Sequence, residues 1–261
     1  MLAPAKINPK YTQWNQKWSA PFGPAMADKI PRNFRMWPLF INLCQEFSFQ
    51  PNNDTRIFEY PWVHEQIGPK PGLNIVEIGG GLAGFQFVLQ KLGHKYTNVD
   101  PGMAARGKGW SVDEAKMHKL NQKFGTDVKL KNCFIEEAEL PDQSVDRVLS
   151  ISTIEHIPKD DVSTILEHVK RILKPGGLFI MTVDLFLDLI PFTAKSTNTY
   201  GSNIDMKWLI ESSGLNLVEG DKQELFGHEE FNPSAIESKK SKYLVGNGYP
   251  VMVQAVVLEK R

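Results

Sequence analysis

Glu77-Ile78-Gly79-Gly80-Gly81-Leu82-Ala83-Gly84 sets a carboxylate beside a run of glycines. Glycine lacks a Cβ and tolerates positive φ, so such a turn lets a ligand approach bare backbone. Gly79, Gly81 and Gly84 satisfy G-x-G-x-x-G, a dinucleotide fingerprint that is weak by itself. The carboxylate of Glu77, two residues before the first glycine, would repel a pyrophosphate. It suits a ligand with positive charge and no phosphate, and the sulfonium and ammonium of S-adenosylmethionine meet that description. A nicotinamide-dependent oxidoreductase using the same glycines is the competing reading. Asp100 follows at the interval, about 20 residues, where an acid meets ribose hydroxyls in doubly wound folds. Asp100-Pro101-Gly102 is equally a good turn sequence. Pro101 and Met103 are placed to cover one adenine face. His156 titrates near neutral pH, which suits a general base, or else Glu155-His156 only orders its loop. Asp184 is the second candidate base.

These residues need a frame. Leu73 to Ile78 reads as a strand and Phe85 to Leu92 as a helix, so the glycines sit at a helix N-terminus with free N–H groups. Lys95 to Val99 is a second strand ending at Asp100, and Lys129 to Ile135 a third. Ser144 to Ser150 is a fourth, running into Ile154-Glu155-His156. Lys174-Pro175-Gly176-Gly177 turns into a fifth strand, Leu178 to Val183, which Asp184 ends.

In this order the segments resemble the class I, Rossmann-like S-adenosylmethionine-dependent methyltransferases. These share an acid-x-Gly-x-Gly loop, an acid ending strand two and an acid before a Leu-Pro pair. They also share a Glu-His pair after strand four and a Leu-Lys-Pro-Gly-Gly turn before strand five. The resemblance covers about Leu73 to Asp184. It departs at Ala83, where many members have a glycine, and at Glu136, where the adenine-contacting acid is usually Asp. That contact shifts to Glu137 or to a backbone amide if the longer side chain overshoots. The resemblance implies an α/β fold: a doubly wound, mostly parallel seven-stranded sheet with an antiparallel last strand, plus an N-terminal cap segment. It implies S-adenosyl-L-methionine as cofactor, with contacts at Glu77, Gly79, Gly81, Asp100, Pro101, Ile135, Glu136 and Ser152. It also implies His156 and Asp184 at the reacting end. The acceptor expected is a small molecule, methylated on an oxygen of a sugar or secondary metabolite. A cofactor-binding module without turnover is a third reading.

Composition bounds the alternatives. The chain has 261 residues, 30 Lys plus Arg and 30 Asp plus Glu. Zero net charge argues against a nucleic-acid partner, which needs a concentrated basic surface. Lys239-Lys240-Ser241-Lys242 reads as a solvated loop. Cys44 and Cys133 lie in no metal spacing and read as buried thiols of a reducing compartment. Asp184, Asp188, His228, Glu229 and Glu230 form no tight metal motif, so no metal is expected. No apolar run approaches the ~20 residues of a membrane span, and no signal pattern opens the chain. A cytoplasmic protein without a membrane partner is expected, and a homo-oligomer is compatible with the sequence.

Residues 1–70 differ from the rest. Their dense prolines argue against long helices, while Trp14, Trp18, Trp37 and Trp62 offer area to bury. They read as an ordered cap or lid with short helices at Pro38–Phe47 and Tyr60–Ile67, packed on a domain at 71–261. Each tryptophan is expected to staple the cap to the core. Insertions at about 184–204 and 226–248 leave the carboxyl edge of the sheet and should shape the acceptor pocket. A helix at Asp205–Ser212 and strands at Leu215–Glu219 and Pro250–Leu258 complete the chain.

Overall fold

A computed structural model describes residues 1–261. The proline-rich start folds into more helix than its composition suggests. Helix α1 (Pro9–Trp18) places Pro9 in its first turn, where no N–H is needed, and Asn8 caps it by accepting from the Lys10 N–H. Helix α2 (Ala25–Asp28) is a single turn. The helix expected at Pro38–Phe47 is replaced by 3₁₀ turns at Ile41–Leu43 and Glu46–Ser48. The cause is Arg35, whose buried guanidinium donates to the Ile30 and Ser48 carbonyls and draws residues 30–48 into a compact loop. Helix α3 (Arg56–Ile67) begins four residues before the expected start and runs through Pro61. Proline removes the N–H that would bond the Ile57 carbonyl. Asn15 of α1 supplies the missing donor at 2.7 Å.

Beyond Leu73 the chain alternates. Strand β1 (Asn74–Ile78) leads to helix α4 (Gly84–Lys91), β2 (Lys95–Val99) to α5 (Glu114–Phe124), and β3 (Lys129–Lys131) is short. The expected third strand stops there because Ile135–Glu137 turns into a 3₁₀ helix. Strand β4 (Val145–Ile151) is followed by α6 (Lys159–Ile172) and β5 (Leu173–Phe186). The expected Pro-Gly-Gly turn is a bulge inside β5, where the partner of Val145 is Leu173 and that of Arg147 is Leu178. Helix α7 (Met206–Ser213) is capped by Asp205. Strand β6 (Asn216–Glu219), helix α8 (Pro233–Ser238) and strand β7 (Val251–Glu259) close the chain, with α8 inside the region read as a loop.

The seven strands lie in the order β3-β2-β1-β4-β5-β7-β6. β1 to β5 are parallel, and β7 runs antiparallel between β5 and β6. The order reverses between β1 and β4, and ligands in such sheets bind beyond the carboxyl ends of the strands at that switch.

Strand alternation divides the core into two layers. Ile75, Leu149, Ile180 and Val253 face α3, α4 and α5, among Phe58, Trp62, Val88 and Leu120. Val76, Val148, Phe179 and Val256 face α6 and α7, among Val162, Val169 and Leu209. Helix α3 therefore shares a core with the sheet. The first residues also join it: Leu2 pairs with Gln254 of β7, beyond the reach of short β6, and the Ala3 N–H donates to the Val253 carbonyl. Trp62 is buried, and Trp14 packs against Phe47 and Phe85. Trp37 departs from the stapling expectation, at 54% exposed.

Candidate active site

A cavity of about 330 Å³ opens at the switch point, beyond the ends of β1, β2 and β4. That volume falls at the small end of ligand sites. Residues 50–56, which run from the last 3₁₀ turn of the cap into the start of α3, contribute Gln50, Asn53 and Arg56 to its wall.

The glycine loop forms as its spacing suggests, but its glycines serve different ends. Gly79 and Gly81 adopt φ of +73° and +53°, conformations that side chains resist. A Cβ on Gly79 would overlap Thr153, and one on Gly81 would overlap Gln50. Gln50 Oε1 accepts from the Leu82 N–H at 2.6 Å, so the cap is bonded directly to the loop. Gly84 meets the backbone of Glu46 and Phe47, so the third glycine of the fingerprint admits the cap.

Glu77 does not reach the cavity. It is buried beneath the loop, accepts from the Tyr96 hydroxyl at 2.7 Å, and burial pushes its carboxyl up to about 7. Contrary to the expectation from its spacing, Glu77 does not present its charge to a ligand on the turn but supports the turn from below.

Asp100 does line the cavity. Its oxygens accept from the Gly81 and Gly102 N–H groups, each at 2.7 Å, which ties the glycine loop to the loop after β2. Each carboxylate oxygen retains a further lone pair for a ligand. Burial raises its pKa, and the two amide bonds oppose that rise. Pro101, Ile135 and Glu136 also line the wall, whereas Met103 is 74% exposed and does not. Glu137 folds back to accept from the Phe134 N–H, which leaves Glu136 as the acid of this pair on the cavity wall. Cys133, read as a buried thiol, is half-buried on the same wall.

At the other end, Ser152 lines the cavity in a left-handed conformation, φ +45°. Its Oγ lies 2.8 Å from Asp184 Oδ1 and 3.2 Å from Glu59 Oε1, and its single proton serves one at a time. Asp184 is fully buried with no surface on the cavity, and its Oδ2 accepts from the Tyr249 hydroxyl at 2.8 Å. Glu155 is buried beside it and accepts from the Asp184 N–H through Oε1. Arg56, paired with Glu59, is the cation bonded into this acidic group. Burial and mutual repulsion push Glu155 well above the carboxylate range, while burial and the nearby Glu59 push Asp184 up to about 6.

His156 lines the cavity, and its Nδ1 sits 2.6 Å from the Tyr200 carbonyl. A carbonyl can only accept, so Nδ1 carries the proton and Nε2 the lone pair. Burial lowers the imidazole pKa, which keeps the ring neutral at pH 7.

Gln50, Asn53, Arg56, Lys108, Trp110 and the Tyr200–Tyr249 pair also face the cavity. Sequence reasoning did not single them out. Tyr200 lies in the first insertion and Tyr249 just after the second, so the insertions were the available signal for that pair. The glycine-flanked Lys108 and the tryptophan at 110 stand in a loop that no motif marked. Tyr200 and Tyr249 stack at 4.3 Å, with Lys108 Nζ 5.1 Å from the Tyr200 ring centre. Asn53 is notable because both polar atoms of its amide are buried without a protein partner.

This lining fits S-adenosylmethionine. It offers open glycine backbone, a carboxylate with spare lone pairs at Asp100 and an unpartnered amide at Asn53.

Comparison with known proteins agrees. A methyltransferase domain family model matches residues 76–181. The ubiquinone biosynthesis O-methyltransferase of Paramagnetospirillum magneticum is 31% identical over 112 residues, 43% of this chain and 41% of that protein. The sterol 24-C-methyltransferase ERG6B of Gibberella zeae is 25% identical over 205 residues, 74% of this chain and 50% of that protein. The chain thus spans about half the length, or less, of these relatives. Among solved structures, a geranyl diphosphate methyltransferase in complex with S-adenosylmethionine superposes with a TM-score of 0.55 at 13% identity, covering 79% of this chain and 86% of that one. The [4+2]-cyclase SpnF gives 0.55 at 13% identity, covering 77% and 79%. At such identities the two structures establish the fold alone. The family match, with the glycine loop and Asp100 on the cavity, replaces the nicotinamide reading: residues 76–181 form a methyltransferase domain, and its cofactor is S-adenosylmethionine.

Proposed function

We propose that this chain methylates an oxygen of a small molecule, a sugar or a secondary metabolite, with His156 as the base. The observation that carries the reading is the bond from His156 Nδ1 to the Tyr200 carbonyl. It sets Nε2 as a proton acceptor on the cavity wall, in a ring that burial keeps neutral. When bound, S-adenosylmethionine supplies a methyl carbon already activated by its sulfonium. The protein must then hold the acceptor in line, exclude water and take one proton. Asp100 binds the ribose side, with Ile135 and Glu136 at the adenine and Asn53 on the remaining polar end. Tyr200, Tyr249 and Trp110 form an aromatic wall for the acceptor. Asp184, sealed in the core, acts as a positioning residue through Ser152 and Tyr249. Residues 1–70 act as the cap that completes the site.

The relatives support a small acceptor: one is named for O-methylation in ubiquinone biosynthesis, another for C-methylation of sterols. The test is calorimetric titration with S-adenosylmethionine, followed by a turnover screen of hydroxylated small molecules. Binding with oxygen methylation of a screened acceptor is expected. Binding with turnover only on carbon or nitrogen acceptors would refute the oxygen assignment. Binding without turnover on any acceptor class would favour a module that holds the cofactor alone.

A further inference from the structure

The surface of the cap carries two features that the cavity does not use. The first is apolar. Nine large hydrophobic residues of the chain are exposed, and five of them, Phe22, Met26, Trp37, Leu39 and Leu43, fall between residues 22 and 43. Trp37 to Leu43 forms a run of tight turns, with the Phe40 and Ile41 N–H groups both donating to the Trp37 carbonyl. The turns present Trp37 at 54%, Leu39 at 77% and Leu43 at 48% exposure. The tip is built rather than frayed, because Phe34 packs edge-on to Trp37 at 4.7 Å and Arg35 is buried behind it.

The second feature is charge. Residues 1–45 contain six cations, Lys6, Lys10, Lys17, Lys29, Arg32 and Arg35, and one acid, Asp28. The chain is neutral overall, so this segment carries +5 and the remainder −5. Asp28 lies against Arg35. Lys6, Lys10, Lys17, Lys29 and Arg32 are exposed and make no ion pair.

We propose that the cap docks on an anionic lipid bilayer, with Trp37, Leu39 and Leu43 entering the interface and the exposed Lys29 and Arg32, which adjoin the tip in sequence, facing lipid phosphates. Apolar side chains with an interfacial tryptophan supply burial, and each basic residue adds attraction to the negative surface. A second copy of the chain is the poorer occupant, because a two-fold contact at the tip sets Lys29 and Arg32 close to their own copies. Nucleic acid would use the cations but leave Leu39 in water. This departs from the expectation of no membrane partner, which rested on spans; no helix here is long and apolar enough to cross a membrane. Docking is independent of the proposed methyl transfer.

The experiment is co-sedimentation of the full chain with vesicles of phosphatidylcholine, alone or mixed with phosphatidylglycerol. Binding to the mixed vesicles, weakened by salt, is expected, with little binding to phosphatidylcholine alone. Leu39→Asp should lower the apparent affinity about tenfold or more, and Lys29→Glu with Arg32→Glu should lower it comparably. S-adenosylmethionine binding by calorimetry should stay unchanged in each, since none lines the cavity. If Leu39→Asp proves unstable, Leu39→Ser reads the same contact. Equal sedimentation of wild type and variants would overturn the proposal, as would no sedimentation with phosphatidylglycerol. So would a concentration-dependent dimer, or RNA binding, that Leu39→Asp abolishes without vesicles present.

Discussion

Asn15 of α1 donates to the Ile57 carbonyl at 2.7 Å, the carbonyl that Pro61 leaves without its helical donor. One side chain thereby repairs a helix it does not belong to, and ties α1 to α3. Asn15→Ala leaves a part-buried carbonyl unpaired and should cost about 1–3 kcal/mol in urea unfolding. In a Pro61→Ala background the helix supplies its own N–H, so the same substitution should cost less. An equal cost in both backgrounds would show that Asn15 does not act by replacing the donor that Pro61 lacks.

His156 gives the mechanistic prediction. His156→Ala should lower turnover by roughly 10²–10⁴-fold with cofactor affinity nearly unchanged. The wild-type rate should rise with pH through a value below 6.5, the ordinary histidine pKa, because burial lowers it. That limb should vanish in the variant. A limb that persists, with affinity lost alongside rate, would reduce His156 to ordering its loop.

Glu155 connects pH to stability. Its folded-state pKa lies well above the ordinary 4.5. The native state therefore holds a proton that the unfolded chain releases, and stability falls as pH rises from about 4.5 toward the folded value. Glu155→Gln keeps the carbonyl that accepts from Asp184 and places its amide at the oxygen that has no partner. The variant should be more stable than wild type at pH 8 and show a flatter pH profile by thermal unfolding. Lower stability at pH 8 would contradict the assignment.

Gly84 separates the cap from the cofactor. Gly84→Ala pushes a methyl into the Glu46–Phe47 backbone and should cost about 1–3 kcal/mol by overpacking. Limited proteolysis should then cut first within residues 1–55. Gly81→Val should abolish S-adenosylmethionine binding and displace Gln50 alone, so that proteolysis within residues 1–55 rises less than in Gly84→Ala. Identical behaviour of the two variants would mean that the glycines share one role.

The Rossmann frame was legible because its signals are local. Lys95–Val99 forms the strand its pattern suggests, and α7 and β7 lie within one residue of the expected bounds. Glu77 misled because its type and spacing carry no information on which side of the loop it occupies; only the Tyr96 hydroxyl across the strand decides that. Pro38–Phe47 misled because Arg35 outweighs local preference with two bonds to distant carbonyls. Gln50, Asn53 and Arg56 were invisible for a related reason. Their roles arise where the cap meets the sheet, a contact between segments far apart in sequence.

The pairing of Leu2 with Gln254 bears on how the molecule is made. On a ribosome Leu2 emerges well before the β7 edge that receives it. Until β7 is synthesised the segment has no strand to join, and the cavity has no finished wall at Tyr249. Contacts between such distant parts of a chain form slowly, after local structure is in place. The site is therefore completed only once β7 has been made and Leu2 can reach it.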